Sequence, residues 1–121
     1  MGELRIRRGE EVPWEENIHA LINNKQQWQI RNKFYFDPKK TPALLRLVEY
    51  APGYTEKAHS HTAAEVIYVV DGELRVPGAT FKPGDALLID ADTVYGPLEA
   101  GPQGLKFLLV RFAPAEMVMA Q

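Results

Sequence analysis

Apolar and polar residues alternate along most of the chain with a period of two, which is the pattern of half-buried β-strands. The alternation is clear between residues 27 and 36, where polar residues separate Trp28, Ile30, Phe34 and Phe36. Further short apolar runs lie at residues 43–51, 66–70, 86–90 and 105–112. Turn residues separate these runs at intervals of about 8–12 residues, and Asp71-Gly72 is a strong hairpin dipeptide. The pattern predicts an all-β sandwich or small barrel.

The N-terminal segment departs from this pattern. Between residues 13 and 28 the apolar side chains recur at helical intervals, at Trp14, Ile18, Leu21 and Ile22. Pro13 suits the first turn of a helix, and the acidic residues after it favour a helix N-terminus. We therefore expect a short helical segment here, preceded by an edge strand within residues 1–10. We divide the chain into an N-terminal segment (1–36), a β-barrel (37–114) and a tail (115–121).

The composition is that of one globular domain. The chain has 121 residues, a formal net charge of −2 and no cysteine. Without cysteine there are no disulfides or thiolate metal sites, so a bound metal would need nitrogen and oxygen ligands. No run of like charge indicates a nucleic-acid partner, and no apolar run approaches the ~18 residues of a membrane span. We expect a cytoplasmic protein with neither nucleic-acid nor membrane partners.

Two of the three histidines, His59 and His61, lie within residues 53–72, with Glu65 four residues further on. Side chains at i and i+2 of a strand leave the same face, so the two imidazoles converge if this stretch is extended. Glu65 has the same parity and can join them. Two imidazoles and a carboxylate on one face suit a divalent transition metal with open coordination positions.

The same stretch resembles a known family. Gly53, His59, His61, Glu65 and Gly72 stand at the spacing of the first motif of the cupin superfamily. The resemblance implies an antiparallel jelly-roll barrel and a homodimer. It also implies that His59, His61 and Glu65 bind a divalent metal at the barrel mouth, which in this family can be iron, manganese, nickel or zinc.

The second motif of that family is incomplete in this chain. Gly84 matches its first glycine, but Tyr95 stands where metal-binding members have a histidine ligand. Three other fixed positions also differ, at Asp90, Asp92 and Glu99. A phenol has an ordinary pKa near 10 and is a poor metal ligand at neutral pH. Three alternatives follow: a metal held by His59, His61 and Glu65 with water, a phenolate ligand from Tyr95, or a pocket that binds an organic ligand directly.

Two arginines interrupt otherwise apolar strands, at Arg46 and Arg111. A buried arginine needs an anionic partner. Each is therefore a candidate anchor for a substrate carboxylate. The alternative for each is a structural ion pair with Glu49 or another acid.

These observations support two classes of function. The first is an enzyme that acts on a small organic molecule through a divalent metal, as cupin dioxygenases and isomerases do. The second is a non-catalytic ligand-binding or sensor module with a degenerate metal site, which Tyr95 favours. A metal-free isomerase or epimerase would need a placed acid and base, and the sequence identifies no catalytic residue.

Overall fold

The computed structural model describes residues 2–37, 39–113 and 116–120. Pro38 lies outside these residues, as do Ala115 and Gln121 of the expected tail. Within the described part the strands are β1 Glu15–Ile22, β2 Lys25–Phe36, β3 Leu44–Tyr50, β4 Thr55–Glu56, β5 His59–His61, β6 Glu65–Val76, β7 Ala79–Phe81, β8 Ala86–Ile89, β9 Leu98–Arg111 and β10 Met117–Met119.

The paired strands of the described chain are all antiparallel. Eight of them form one sheet, whose main path runs β1-β2-β3-β9-β6-β7, with β4 beside β9 and β8 beside β6. The other two, β5 and β10, form a separate two-stranded sheet. The expected all-β, antiparallel jelly roll is confirmed.

The N-terminal helix expected between residues 13 and 28 is wrong, because these residues form the β1–β2 hairpin. Asn23 and Asn24 make its turn with positive φ values of 51° and 62°, which asparagine tolerates better than most residues. Strand β1 is largely exposed, so the spacing of its apolar residues does not mark a core-facing side. The helical segment that does occur is a 3-10 turn at Gly9–Glu11.

The edge strand expected within residues 1–10 is also absent from the described residues 2–8. The segment between Gly9 and Trp14 packs against β2 instead. The Arg31 guanidinium lies 4.2 Å from the ring centre of Trp14 and 4.5 Å from that of Trp28. Lys33 Nζ donates to the carbonyl of Gly9 at 2.9 Å. Cation–π contacts therefore account for the position of Trp14, which we had assigned to a helix face.

The core lies between the inward faces of β3, β6 and β9. Its most buried apolar side chains are Val48, Ile67, Val69, Leu74, Leu98, Ala100 and Leu105. Two charged side chains, Glu65 on β6 and Arg111 on β9, are buried at one end of the same faces. No helix in the part of the chain that the structure describes is long and apolar enough to cross a membrane.

The hairpin expected at Asp71-Gly72 is wrong, because β6 continues through it. The pairing of β6 with β9 instead shifts register on either side of Gly72, between Val69 and Asp71 and between Gly72 and Leu74. Such shifts bend a strand without ending it. A Cβ on Gly72, whose φ is +77°, would meet the carbonyl oxygen of Gly104 at 2.1 Å. Glycine is needed at position 72 for close approach of two strands.

We predict that Gly72→Ala destabilises the protein much more than Gly78→Ala. Gly78 also has a positive φ, of +82°, but a Cβ there would meet nothing within 4 Å. Gly78→Ala should therefore cost only the backbone strain, about 1–2 kcal/mol. Urea unfolding of both variants measures the difference. Equal losses of unfolding free energy would contradict the steric role of Gly72.

Candidate ligand and metal site

The two motif histidines lie on β5, which pairs with β10 rather than with the large sheet. His59 and His61 stand opposite Met119 and Met117, and both imidazoles are buried. Their ring centres are 5.0 Å apart. His59 Nδ1 lies 2.6 Å from the carbonyl oxygen of Lys57. Because a carbonyl only accepts, Nδ1 carries the proton, and the neutral ring keeps its lone pair on Nε2.

Glu65 is the most heavily contacted polar group of the site and is almost fully buried, with 2% of its surface exposed. Its Oε1 lies 3.4 Å from His61 Nε2 and accepts a short hydrogen bond from the Tyr95 hydroxyl. Its Oε2 lies 3.1 Å from Arg111 Nε. These two atoms are within ion-pair distance but outside hydrogen-bonding geometry, so the contact is mainly Coulombic. Oε1 is therefore hydrogen-bonded, whereas Oε2 faces a positive charge without accepting a hydrogen bond.

Tyr95 reaches this position because its backbone pairs with β5. The Tyr95 and His59 amides donate to each other's carbonyl oxygens at 2.9 and 3.1 Å, and the two rings are 4.8 Å apart. Burial, followed by the hydrogen bond to Glu65 and its negative charge, raises the pKa of Tyr95 above its ordinary value. The phenol is consequently a neutral hydrogen-bond donor at physiological pH and not a phenolate.

The two candidate arginines have different surroundings. Arg111 pairs with Glu65, as described above. Arg46 has no acidic partner among residues 2–37, 39–113 and 116–120, because Glu49 pairs with Arg31 at 2.6 Å. The nearest acceptor to Arg46 is Asn32 Oδ1, 3.5 Å from one of its terminal nitrogens. Burial, and then the Arg111 charge, lower the pKa of Arg46 below its ordinary value.

One cavity of about 260 Å³ is lined by five of the six candidate residues, and its polar lining includes Asn32, Arg46, Glu56, His59, His61, Glu65 and Tyr95. Arg111 lies behind Glu65 and does not line it. Sequence reasoning missed Asn32, although the alternation of β2 places it on the same face as Ile30. It also missed Met117, which lines the cavity from β10, in the segment that we expected to be a tail.

The cupin-domain profile matches residues 46–111, which is more than half of the chain. The chain belongs to the cupin family. Among curated proteins, no sequence matches this cupin.

Solved structures share the fold of this cupin at low sequence identity. The polyketide cyclase RemF from Streptomyces resistomycificus is 19% identical, with a TM-score of 0.76 over 98% of this chain and 87% of its own. An RmlC-like cupin from Shewanella frigidimarina is 18% identical, with a TM-score of 0.68 over 93% of both chains. A sugar phosphate isomerase from Silicibacter pomeroyi is 16% identical, with a TM-score of 0.69 over 93% and 79%. At these identities the likeness shows the fold alone.

The side chains of this cupin do not fit a divalent metal as they are placed. No group of three or more histidine, cysteine, aspartate or glutamate side chains in the described ranges is arranged to hold an ion. The Glu65 carboxylate, the expected oxygen ligand, is engaged by Tyr95 and Arg111. His61 Nδ1 is buried without a hydrogen-bond partner, whereas a metal-ligating histidine almost always has one on its second nitrogen.

The cavity nevertheless offers three kinds of contact to an organic molecule. His59 Nε2 can accept a hydrogen bond or a proton. The Tyr95 phenol lies beside that imidazole, and the Arg46 guanidinium adds a positive charge. Burial lowers the pKa of His61, so its imidazole is neutral at physiological pH and adds no further charge.

We predict that this cupin loses stability as the pH rises above about 10. Burial is the main cause that raises the pKa of Tyr50 and Tyr95, and it raises that of Tyr54 to about 12. Unfolded tyrosines ionise near pH 10, so above that pH the native state holds more protons and unfolding becomes easier. Urea unfolding at a series of alkaline pH values measures the loss.

Tyr50→Phe is the matched variant for this prediction, because it removes one such phenol without touching Glu65. It should reduce the slope of unfolding free energy against pH by about 1.4 kcal/mol per unit in the same range. A slope identical to that of the wild type would contradict a raised pKa at Tyr50.

Proposed function

We propose that this cupin binds a small organic molecule directly in its barrel cavity, without a resident divalent metal. The observation that carries the proposal is the set of contacts around Glu65. In the metal-binding interpretation this carboxylate would neutralise part of the charge of the ion. In the structure Arg111 already supplies a positive charge 3.1 Å away, and the Tyr95 hydroxyl occupies Oε1.

The charges around the cavity support this proposal. Arg46 and Arg111 contribute two positive charges close to the carboxylates of Glu65 and Glu56. A divalent ion beside Glu65 would add two more positive charges in a buried setting, where repulsion between like charges is weakly screened. An anionic group beside Arg46 meets no such repulsion from the two arginines.

The second candidate is a metal-dependent dioxygenase or isomerase using iron, manganese, nickel or zinc. The orientation of His59 favours it, because the Nδ1 contact with Lys57 leaves Nε2 as a potential ligand toward the cavity. In this candidate the ion competes with Arg111 and Tyr95 for the Glu65 carboxylate.

A metal titration distinguishes the two candidates. Metal-stripped wild type, purified without a metal-affinity tag, should bind zinc or nickel weakly. Arg111→Met removes the competing charge and frees Glu65, so the affinity for these ions should rise tenfold or more, which corresponds to about 1.4 kcal/mol. Arg75→Met is the control, since the partly exposed Arg75 side chain pairs with Glu73 on β6 and does not line the cavity.

Stoichiometric metal in the purified wild type, or the same affinity in wild type and folded Arg111→Met, would contradict the metal-free proposal. Tyr95→His would add a third imidazole beside His59 and His61, and tighter binding than in the wild type is expected there too. The result with Arg111→Met decides between the two candidates, because that variant adds no new metal ligand.

We also propose a homodimer. Its support is the exposed apolar surface of the β1–β2 hairpin, where Leu21 is 64% exposed and Ile18 and Ile22 more than 40%. Burial of such a surface stabilises association. Light scattering should give the mass of two chains, and a mass of one chain at micromolar concentration would contradict the proposal.

A further inference from the structure

Arg46 is a half-buried cation that forms no ion pair with any side chain of the described residues, and the Glu65 charge acts on it only from a greater distance. Its Nε has no hydrogen-bond partner in the described part of the chain, and no carboxylate lies within ion-pair distance. The face of Phe34 lies 5.7 Å from the guanidinium carbon, which is a weak contact for a full charge. The Nε atom of Arg46 is nevertheless buried, and proteins rarely leave a buried polar group without a partner.

Asn32 presents a second unsatisfied donor beside it. This side chain is 1% exposed, and its Oδ1 faces Arg46 at 3.5 Å. The opposite orientation of the amide would turn its N–H group toward the guanidinium and set two donors against each other. The oxygen Oδ1 must therefore face Arg46. This orientation leaves Asn32 Nδ2 buried without an acceptor. Arg46 and Asn32 together therefore form a pair of donors that lacks an acceptor.

Other acids near the cavity do not fill this role. Glu65 faces Arg111, as shown above. Glu56 accepts a hydrogen bond from the Tyr54 hydroxyl at 3.0 Å and makes no ion pair with Arg46. Arg46 therefore brings one positive charge to this end of the cavity, and Asn32 brings none. A single positive charge matches a singly charged anion rather than a phosphate dianion.

The size and walls of the cavity limit the rest of the ligand. An apolar cavity of ~150 Å³ accommodates benzene, so about 260 Å³ has room for one ring with a short substituent. The aliphatic and aromatic side chains of the wall include Ile30, Val48, Tyr50, Leu98, Phe107 and Leu109.

We infer that the ligand of this cavity is a small, singly charged carboxylate, held at its carboxylate end by Arg46 and Asn32. This inference rests on the proposed function and specifies its ligand class. A planar carboxylate presents two oxygens, which suit the guanidinium of Arg46 and the amide of Asn32 together. The apolar part of the molecule packs against the aliphatic and aromatic wall.

The test uses pairs of probes that differ only in charge: benzoate with benzamide, and phenylacetate with phenylacetamide. Their dissociation constants are measured by calorimetry for the whole wild-type chain in a buffer without carboxylate or phosphate. Each acid should bind the wild type at least tenfold more tightly than its amide, because it forms charge-assisted hydrogen bonds. Arg46→Met should remove this preference, and Arg75→Met should preserve it.

The thermal midpoint of the ligand-free proteins provides a second measurement. Arg46→Met removes a half-buried charge that forms no ion pair, so its midpoint should equal or exceed that of the wild type. A lower midpoint would assign Arg46 a structural role and overturn the inference. A variant that does not fold would also assign Arg46 a structural role and overturn the inference. The comparison of acid and amide in the wild type tests the carboxylate class without any variant.

The outcomes separate this inference from the proposed function. Equal affinity for acid and amide in the wild type overturns the carboxylate class but leaves a small-molecule cavity. Absence of binding by all four probes overturns both. Unchanged acid preference in Arg46→Met overturns Arg46 as the anchor.

Discussion

The ion pair between Glu65 and Arg111 is the contact on which the rest of the site depends. A buried carboxylate is costly without a compensating charge, and Arg111 supplies that charge from the neighbouring strand β9. The remaining Glu65 oxygen takes the Tyr95 hydroxyl, which positions the phenol beside His59. The consequence is a cavity in which Glu65 is already neutralised and in which Arg46 forms no ion pair with any residue that the structure describes.

The positions of the strands determine which side chains line the ligand cavity. The long strands β6 and β9 carry Glu65 and Arg111 at one end, while their other ends close over the Leu74 and Leu105 core. Strands β2 and β3 add Asn32 and Arg46 from the side, and the β5–β10 sheet adds the histidines. The polar groups of the cavity thus come from several strand pairs, so the site exists only in the assembled barrel.

Local patterns predicted much of this from the sequence. The period-two alternation gave the all-β class, and the i, i+2 spacing placed His59 and His61 on one face. Such local patterns could not predict how strands that are distant in the sequence pair with each other. The choice of Arg111 rather than Arg46 as the partner of Glu65 follows from the register of β9 against β6. The β1–β2 hairpin was mistaken for a helix because an exposed edge strand has no core-facing period, and β10 has too few residues to show one.

A double-mutant cycle on Glu65 and Arg111 tests the central claim most directly. Glu65→Gln, Arg111→Met and the double variant are unfolded with urea beside metal-stripped wild type, with Glu73 and Arg75 as an exposed control pair. Loss of one partner should cost about 3–5 kcal/mol, and the double variant should cost clearly less than the sum of the single ones. The control pair should show a smaller coupling. Additive costs at Glu65 and Arg111 would show that Arg111 does not balance this carboxylate and would contradict the account.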